Sequence, residues 1–201
     1  MNIAVFVSGN GTNLQALIDA EKSEGLAGAK IVLAVSDKTE AFALKRAEKE
    51  GIETFVLEAK GFGSREEYDK KIMEKLRASK IELIVLAGFM RLLSDHFVDE
   101  YYGRILNVHP ALLPSFKGTH GIKDAFDYGV KVTGVTVHFV NKELDAGPVI
   151  LQSPVQIDEE DTLGTLEEKI HKIEHELYPE AVRLFAQGRL RIEGRKARRG
   201  E

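Results

Sequence analysis

Ile3-Ala-Val-Phe-Val7 runs directly into Ser8-Gly-Asn-Gly-Thr-Asn13, and that junction decides the fold. Five apolar residues without alternation fit a strand buried on both faces, as in parallel sheets. The glycines then allow a tight turn, after which Asn13–Lys22 carries Leu14, Leu17 and Ile18 on one helical stripe. Strand, turn and helix make the first piece of a βα unit. Outward from it, Ile31–Val35, Thr54–Leu57 and Ile81–Ala87 are predicted strands, with predicted helices at Glu40–Glu50, stopped by Gly51, and at Arg65–Ser79, opened by a Ser64/Glu67 capping box. Right-handed crossovers between such units predict an α/β fold with a doubly wound, mostly parallel sheet. Its ligand site should lie at the carboxyl ends of the strands.

The second half is predicted to be richer in antiparallel strand. A short helix follows Ser94, Arg104–Val108 forms a strand, and Val130–Val140 alternates in the manner of a longer, half-exposed one. Pro148–Val155 adds another strand. Thr162–Gln187 is a long amphipathic helix with Leu163, Leu166, Ile170, Ile173 and Leu177 on one face and an expected kink at Pro179. Residues 1–188 are expected to form one domain, with a phosphate-binding half up to about residue 100 and a catalytic half beyond it. The tail 189–201 holds six basic residues against Glu193 and Glu201, a net +4 in a chain of net −4, so the body carries about −8. A solvated, flexible tail is expected there, with electrostatic docking of an anionic partner as the alternative.

Composition removes whole classes of function. With 43% hydrophobic and 30% charged residues, the 201-residue chain has material for a core and a polar surface, which excludes disordered and collagen-like classes. No apolar run approaches a membrane span, and the apolar start lacks the basic flank of a signal peptide, so a cytoplasmic setting without membrane contact is expected. The absence of Cys excludes thiolate metal sites and cysteine nucleophiles. An acidic body does not offer the basic face a nucleic-acid partner needs. Oligomeric state is not legible.

Four segments carry chemistry. Ser8–Asn13 places glycines and backbone N–H groups at the start of a helix, a phosphate cradle; Leu14 occupies the third glycine position of a dinucleotide fingerprint, and no Walker lysine is present. Asp37, at a strand end, resembles a ribose-binding acid but is a weak signal alone. Asn107 and His109 stand two apart on a strand and so share a face, and Pro110 and Pro114 stiffen the exit from that strand. Asp145, in Glu143-Leu-Asp-Ala-Gly-Pro148, sits on a turn where its carboxylate can orient an imidazole. His171-Lys-Ile-Glu-His175 matches an inverted zinc motif, yet it lacks any third-ligand motif and its helix faces a core, so no metal is expected. Glu174 is expected to reach the ligand crevice. His96, His120 and His138 are individually uninformative, although His120 is positioned to line the site.

In order, Ser8–Asn13, Leu86-Ala-Gly-Phe-Met-Arg-Leu-Leu93, Asn107-x-His109-Pro-Ala-Leu-Leu-Pro114 and Glu143–Pro148 form a pattern. The chain resembles the folate-dependent phosphoribosylglycinamide formyltransferases over Met1 to about Gly188. Methionyl-tRNA formyltransferase and formyltetrahydrofolate deformylase share the Asn, His and Asp core, so that core implies reaction type rather than substrate. Each of those carries an additional domain, for which the length leaves no room. The resemblance implies a Rossmann-like formyltransferase fold and transfer of formyl from 10-formyltetrahydrofolate to the amine of 5'-phosphoribosylglycinamide in purine biosynthesis. It implies catalysis by Asn107, His109 and Asp145, and ribonucleotide binding by Gly11, Thr12, Asn13 and Glu174. Folate would meet Arg65, Met90, Arg91, Leu92, Leu93, Asn107, Asn141 and Asp145, with backbone groups near Arg91–Leu93 pairing to the pterin. Small molecules would be the partners.

Amine attack on a formyl carbon creates a tetrahedral oxyanion, for which Asn107 and a protonated His109 are the donors and Asp145 the support. Two other readings share the same residues: hydrolysis of formyltetrahydrofolate by water, and a non-catalytic module that binds a phosphate ligand.

Overall fold

The computed structural model describes residues 1–23 and 25–200. It divides into two compact units, Met1–Leu106 and Asn107–Glu201.

The first unit alternates β1 (Asn2–Val7), α1 (Thr12–Ser23), β2 (Lys30–Ser36), α2 (Phe42–Lys49), β3 (Glu53–Val56), α3 (Arg65–Ala78), β4 (Leu83–Leu86) and α4 (Asp95–Glu100). Its strands lie in the order β3-β2-β1-β4, all parallel. The unbroken apolar run is explained by this position: β1 has a neighbour on each side, and Ala4 to Val7 are fully buried. Each such Val or Phe contributes roughly 1.5–3 kcal/mol by leaving water. Ser64 caps α3 by accepting from the Glu67 N–H at 3.1 Å, but the Glu67 carboxylate bonds the Gly63 N–H at 2.9 Å instead of closing the expected box on Ser64.

β5 (Ile105–His109) carries the chain into the second unit, which adds α5 (Gly121–Tyr128), β6 (Val132–Phe139), β7 (Val149–Gln156), α6 (Leu163–Ala186), β8 (Leu190–Glu193) and β9 (Lys196–Arg199). Strand order here is β5-β6-β7-β9-β8. β6 and β7 pair antiparallel and α6 packs across both, but β6 is buried from Thr133 to Phe139 rather than half-exposed as its alternation suggests, because it lies between β5 and β7 in the sheet with α6 packed over it. The sequence gives no warning of α5. α6 runs through Pro179 without ending there, and its buried stripe is Leu166, Ile170, Glu174 and Tyr178, while Ile173 and Leu177 are only half-buried.

The tail corrects an expectation. Instead of fraying, residues 190–199 fold into the antiparallel hairpin β8–β9, turned at Gly194, and β9 pairs with β7 through Val149 and Lys196. Reading its composition as solvated missed the period-two pattern Leu190, Ile192 that gives the hairpin a half-buried face.

Candidate active site

β5 and β6 are neighbours, and their carboxyl-terminal residues form the centre of the second unit's polar cluster. His109 is 3% exposed and His138 2%. Asp145 approaches both imidazoles, with Oδ2 3.5 Å from His109 Nδ1 and Oδ1 3.8 Å from His138 Nε2. The Gly118 N–H donates to Asp145 Oδ2 at 2.8 Å, which fixes the carboxylate from its other side.

Two carbonyls fix the ring protons, because a carbonyl only accepts. His138 Nδ1 lies 2.8 Å from the Phe139 oxygen and so carries a proton. Burial lowers the His138 pKa below its ordinary value of 6.5, against the Phe139 hydrogen bond and the pull of Asp145, so its Nε2 is a bare acceptor at neutral pH. The Asn107 Nδ2 group, 3.2 Å away, must then be the donor. That interaction orients the Asn107 amide and uses one of its two N–H bonds. The second remains to be directed at a ligand. His109 Nε2 lies 2.8 Å from the Phe116 oxygen and is likewise the donor, leaving Nδ1 to face Asp145. That places the Asp145 carboxylate to orient the His109 ring.

Local backbone explains how Asp145 arrives there. Its φ is +48°, a left-handed conformation that Asp tolerates better than most side chains. Gly147 brings the chain back against β6 so closely that a Cβ there would lie 1.7 Å from the Phe139 oxygen. Asn141, at the start of this loop, accepts from the Glu143 N–H at 3.2 Å, an Asx turn.

In the first unit, Ser8–Asn13 is a braced loop. Gly11 has φ +76°, and a Cβ there would sit 2.5 Å from that of Ala43, so both conformation and close approach require glycine. Ala43 N–H donates to the Gly9 carbonyl at 3.1 Å, and Arg46 holds the Asn10 carbonyl and side chain at 2.9 and 3.0 Å. α1 then begins at Thr12 with no acidic residue in its first turn, so its N–H groups and dipole are open to an anion. Leu14 is fully buried in the place where a dinucleotide fingerprint needs glycine. Asp37 accepts from Ser8 Oγ at 2.6 Å, and that same oxygen accepts from the Met90 N–H at 2.9 Å. Asp37 thus braces the loop that carries Met90.

Met90 and Leu92 are 59% and 57% exposed, so this loop presents two apolar side chains to solvent. The Arg91 guanidinium stacks 4.6 Å over Tyr68, whose phenol is pushed up to about 12 by burial and donates to the Leu57 carbonyl. Leu93 is half-buried, and Arg65 stands exposed on the first turn of α3.

Glu174 lies on the buried stripe of α6, 4% exposed, with His171 Nδ1 3.0 Å from its Oε2. That hydrogen bond raises the His171 pKa. A raised folded value means stabilisation that is complete below about 6.5 and fades as pH climbs through the folded value. His171 is half exposed, so the contribution is discounted to about 0.5 kcal/mol. Urea titration of His171→Ala against the parent should therefore show a gap at pH 5.5 that narrows by pH 8; a gap that widens with pH would refute the pairing.

The sequence-derived Asn107, His109 and Asp145 do meet within the second unit. His138 is the member that sequence reading missed. The signal was present in Thr136-x-His138, two polar residues on one face of a mostly apolar strand, with the same two-residue spacing that marks Asn107 and His109. His120 pairs with Thr119 at the exposed start of α5 rather than with this cluster.

Within the second unit, Asn107, His109, His138 and Asp145 thus form one hydrogen-bonded polar cluster of amide, imidazoles and carboxylate. The formyl transferase family model matches residues 1–182. The chain belongs to that family and is an enzyme of the transferase class. Within it, the chain is 44% identical over 180 residues to the phosphoribosylglycinamide formyltransferase of Bacillus subtilis (strain 168), covering 90% of this chain and 92% of that one. It is 46% identical over 192 residues to the trifunctional purine biosynthetic protein adenosine-3 of Gallus gallus, spanning 96% of this chain but 19% of that much longer protein. The crystal structure of glycinamide ribonucleotide transformylase 1 from Symbiobacterium toebii superposes with a TM-score of 0.96 at 42% identity, covering 100% of this chain and 94% of that one. Among the described residues, no helix is long and apolar enough to cross a membrane.

Proposed function

We propose that the chain transfers the formyl group of 10-formyltetrahydrofolate to the amine of 5'-phosphoribosylglycinamide, in the cytoplasm, as a step of purine biosynthesis. The observation that carries this reading is the cluster of Asn107, His109, His138 and Asp145, whose hydrogen bonds orient the Asn107 amide and the His109 ring. The substrate amine adds to the formyl carbon and the carbonyl electron pair moves onto oxygen. The second Asn107 N–H and the His109 Nε2–H receive that oxygen. His109 Nε2 is bonded to the Phe116 carbonyl, so it exchanges that acceptor for the oxyanion as the intermediate forms. Asp145 keeps the imidazole oriented. The attacking nitrogen gives up a proton, the folate nitrogen takes one, and the carbon–nitrogen bond to folate breaks. Gly11, Thr12 and Asn13 cradle the ribose phosphate, and Glu174 contacts the ribonucleotide. Arg65, the exposed loop Met90–Leu93, Asn141 and Asp145 hold the folate.

The test supplies both substrates and follows tetrahydrofolate release. Release that requires the ribonucleotide, with formyl recovered on it, supports the reading; formate as the product would replace it with hydrolysis. The phosphate assignment has its own test. The dephosphorylated riboside should lose about 100-fold or more in kcat/KM, as expected when remote binding energy is removed from a charged group. Equal efficiency for both would withdraw Gly11–Asn13 from the site.

A further inference from the structure

The hairpin β8–β9 lies beyond the residues the family model matches, yet it lines a cavity of about 360 Å³ within the second unit. Four exposed cationic residues line this open cleft: Lys117 from the loop before α5, and Arg195, Lys196 and Arg198 from the hairpin. Pairing of Val149 with Lys196 fixes the hairpin against the start of β7, immediately after the Asp145 loop. Among the described residues, Asp145 is the one carboxylate that lines the cleft. Its charge is directed inward, 8% exposed, toward the Gly118 N–H and the two imidazoles.

Cations gathered around one cavity repel each other, and the available compensation is small. Arg198 meets Glu193 at 3.3 Å, an exposed pair of the kind that contributes little. Among the described residues, Lys117, Arg195 and Lys196 make no ion pair. Two arginines supply planar forks suited to paired oxygens, and two lysines supply point charges. We propose that this cavity is a binding site for a compact, multiply charged anion of the phosphate or carboxylate type, separate from the phosphate cradle at Gly11–Asn13. A singly charged ion would leave most of the repulsion in place, whereas closely spaced charges offset several cations together. The volume suits a molecule the size of pyrophosphate or a small tricarboxylate with its water.

Occupancy has a route to the buried cluster. Lys117 precedes Gly118, whose N–H holds Asp145, and the Lys117 charge already opposes protonation of His138. An anion that neutralises Lys117 removes that opposition. The site does not depend on the formyl-transfer reading, and binding is measured without turnover, so the two stand or fall separately.

The experiment is calorimetric titration of the full chain with pyrophosphate and, separately, with propane-1,2,3-tricarboxylate, at ionic strength held constant with sodium chloride. Saturable binding is expected that shifts the backbone amide resonances of Lys196 and Gly118 together, distinct from any pyrophosphate held at Gly11–Asn13, which shifts the amides of that loop instead. The double variant Arg195→Gln/Lys196→Gln should lose at least about 10-fold in affinity, as removal of two charge-assisted contacts implies. Lys117→Gln is a second, single-site variant whose fold is checked by its unfolding temperature. Saturation by pyrophosphate alone identifies a phosphate ligand, and saturation by both identifies charge as the selecting feature. Absence of saturable binding by either probe, or unchanged affinity in both variants, overturns the proposal.

Discussion

His109→Ala, Asn107→Ala and Asp145→Asn are each expected to lower kcat by about 100-fold or more with little change in the unfolding transition. Loss of one preorganised donor to an acyl oxyanion typically costs about 2.7–4 kcal/mol of barrier. Both donors are held before substrate arrives, His109 by the Phe116 carbonyl and Asp145, and Asn107 by His138. Asn is the proper replacement for Asp145 because the left-handed φ of +48° suits it, so the charge is deleted without adding backbone strain. Steady-state kinetics should place the losses in kcat rather than KM, since these contacts strengthen only as charge develops. The double variant His109→Ala/Asn107→Ala should fall short of the summed effects, because the two donors serve one oxygen. A His109→Ala enzyme within a few-fold of the parent would remove the oxyanion assignment.

How much of this was legible follows from the kind of signal each part leaves. The parallel half announced itself because β1 has strands on both sides, which demands an unbroken apolar run, and because Gly51 and Ser64 mark helix ends locally. Asn107 and His109 were legible because strand periodicity alone puts them on one face. The Thr136-x-His138 spacing puts His138 on one face of its strand in the same way, but that this face meets Asn107 and His109 depends on the neighbour relation of β5 and β6, which the spacing does not encode. The same holds for Phe116, whose contribution is a backbone carbonyl and so leaves no trace in side-chain chemistry. The tail misled because charge dominates its composition, while its fold depends on a few half-buried positions and on an edge of β7 that accepts another strand. Asp37 was rightly a weak signal: a strand-end acid resembles a ligand group, and the Ser8 hydroxyl at 2.6 Å shows it bracing the loop.

Gly147→Ala is expected to be the most damaging single-methyl change in the second unit. The glycine is required there by contact rather than by a left-handed φ: the new Cβ would lie 1.7 Å from the Phe139 oxygen and 2.8 Å from its carbonyl carbon, and neither is a flexible side-chain end that can step aside. The Phe139 N–H also donates to the Pro148 carbonyl at 2.9 Å, so relief requires the turn to pull away from β6 and stretch that bond. Overpacking of this kind costs about 3 kcal/mol, which for a chain of this size lowers the unfolding temperature by roughly 6–12 °C. Gly129→Ala supplies the contrast. Gly129 has φ +80° at the end of α5 with no atom near its would-be Cβ, so it loses only the left-handed preference, about 1 kcal/mol or roughly 2–4 °C. The two variants should also separate in kinetics. Asp145 stands two residues before Gly147 on the same turn, so displacing the turn moves the carboxylate from His109 and lowers kcat, whereas Gly129→Ala keeps it in place. Equal unfolding temperatures for the two alanine variants, or full turnover in Gly147→Ala, would mean that the turn can relax without moving Asp145.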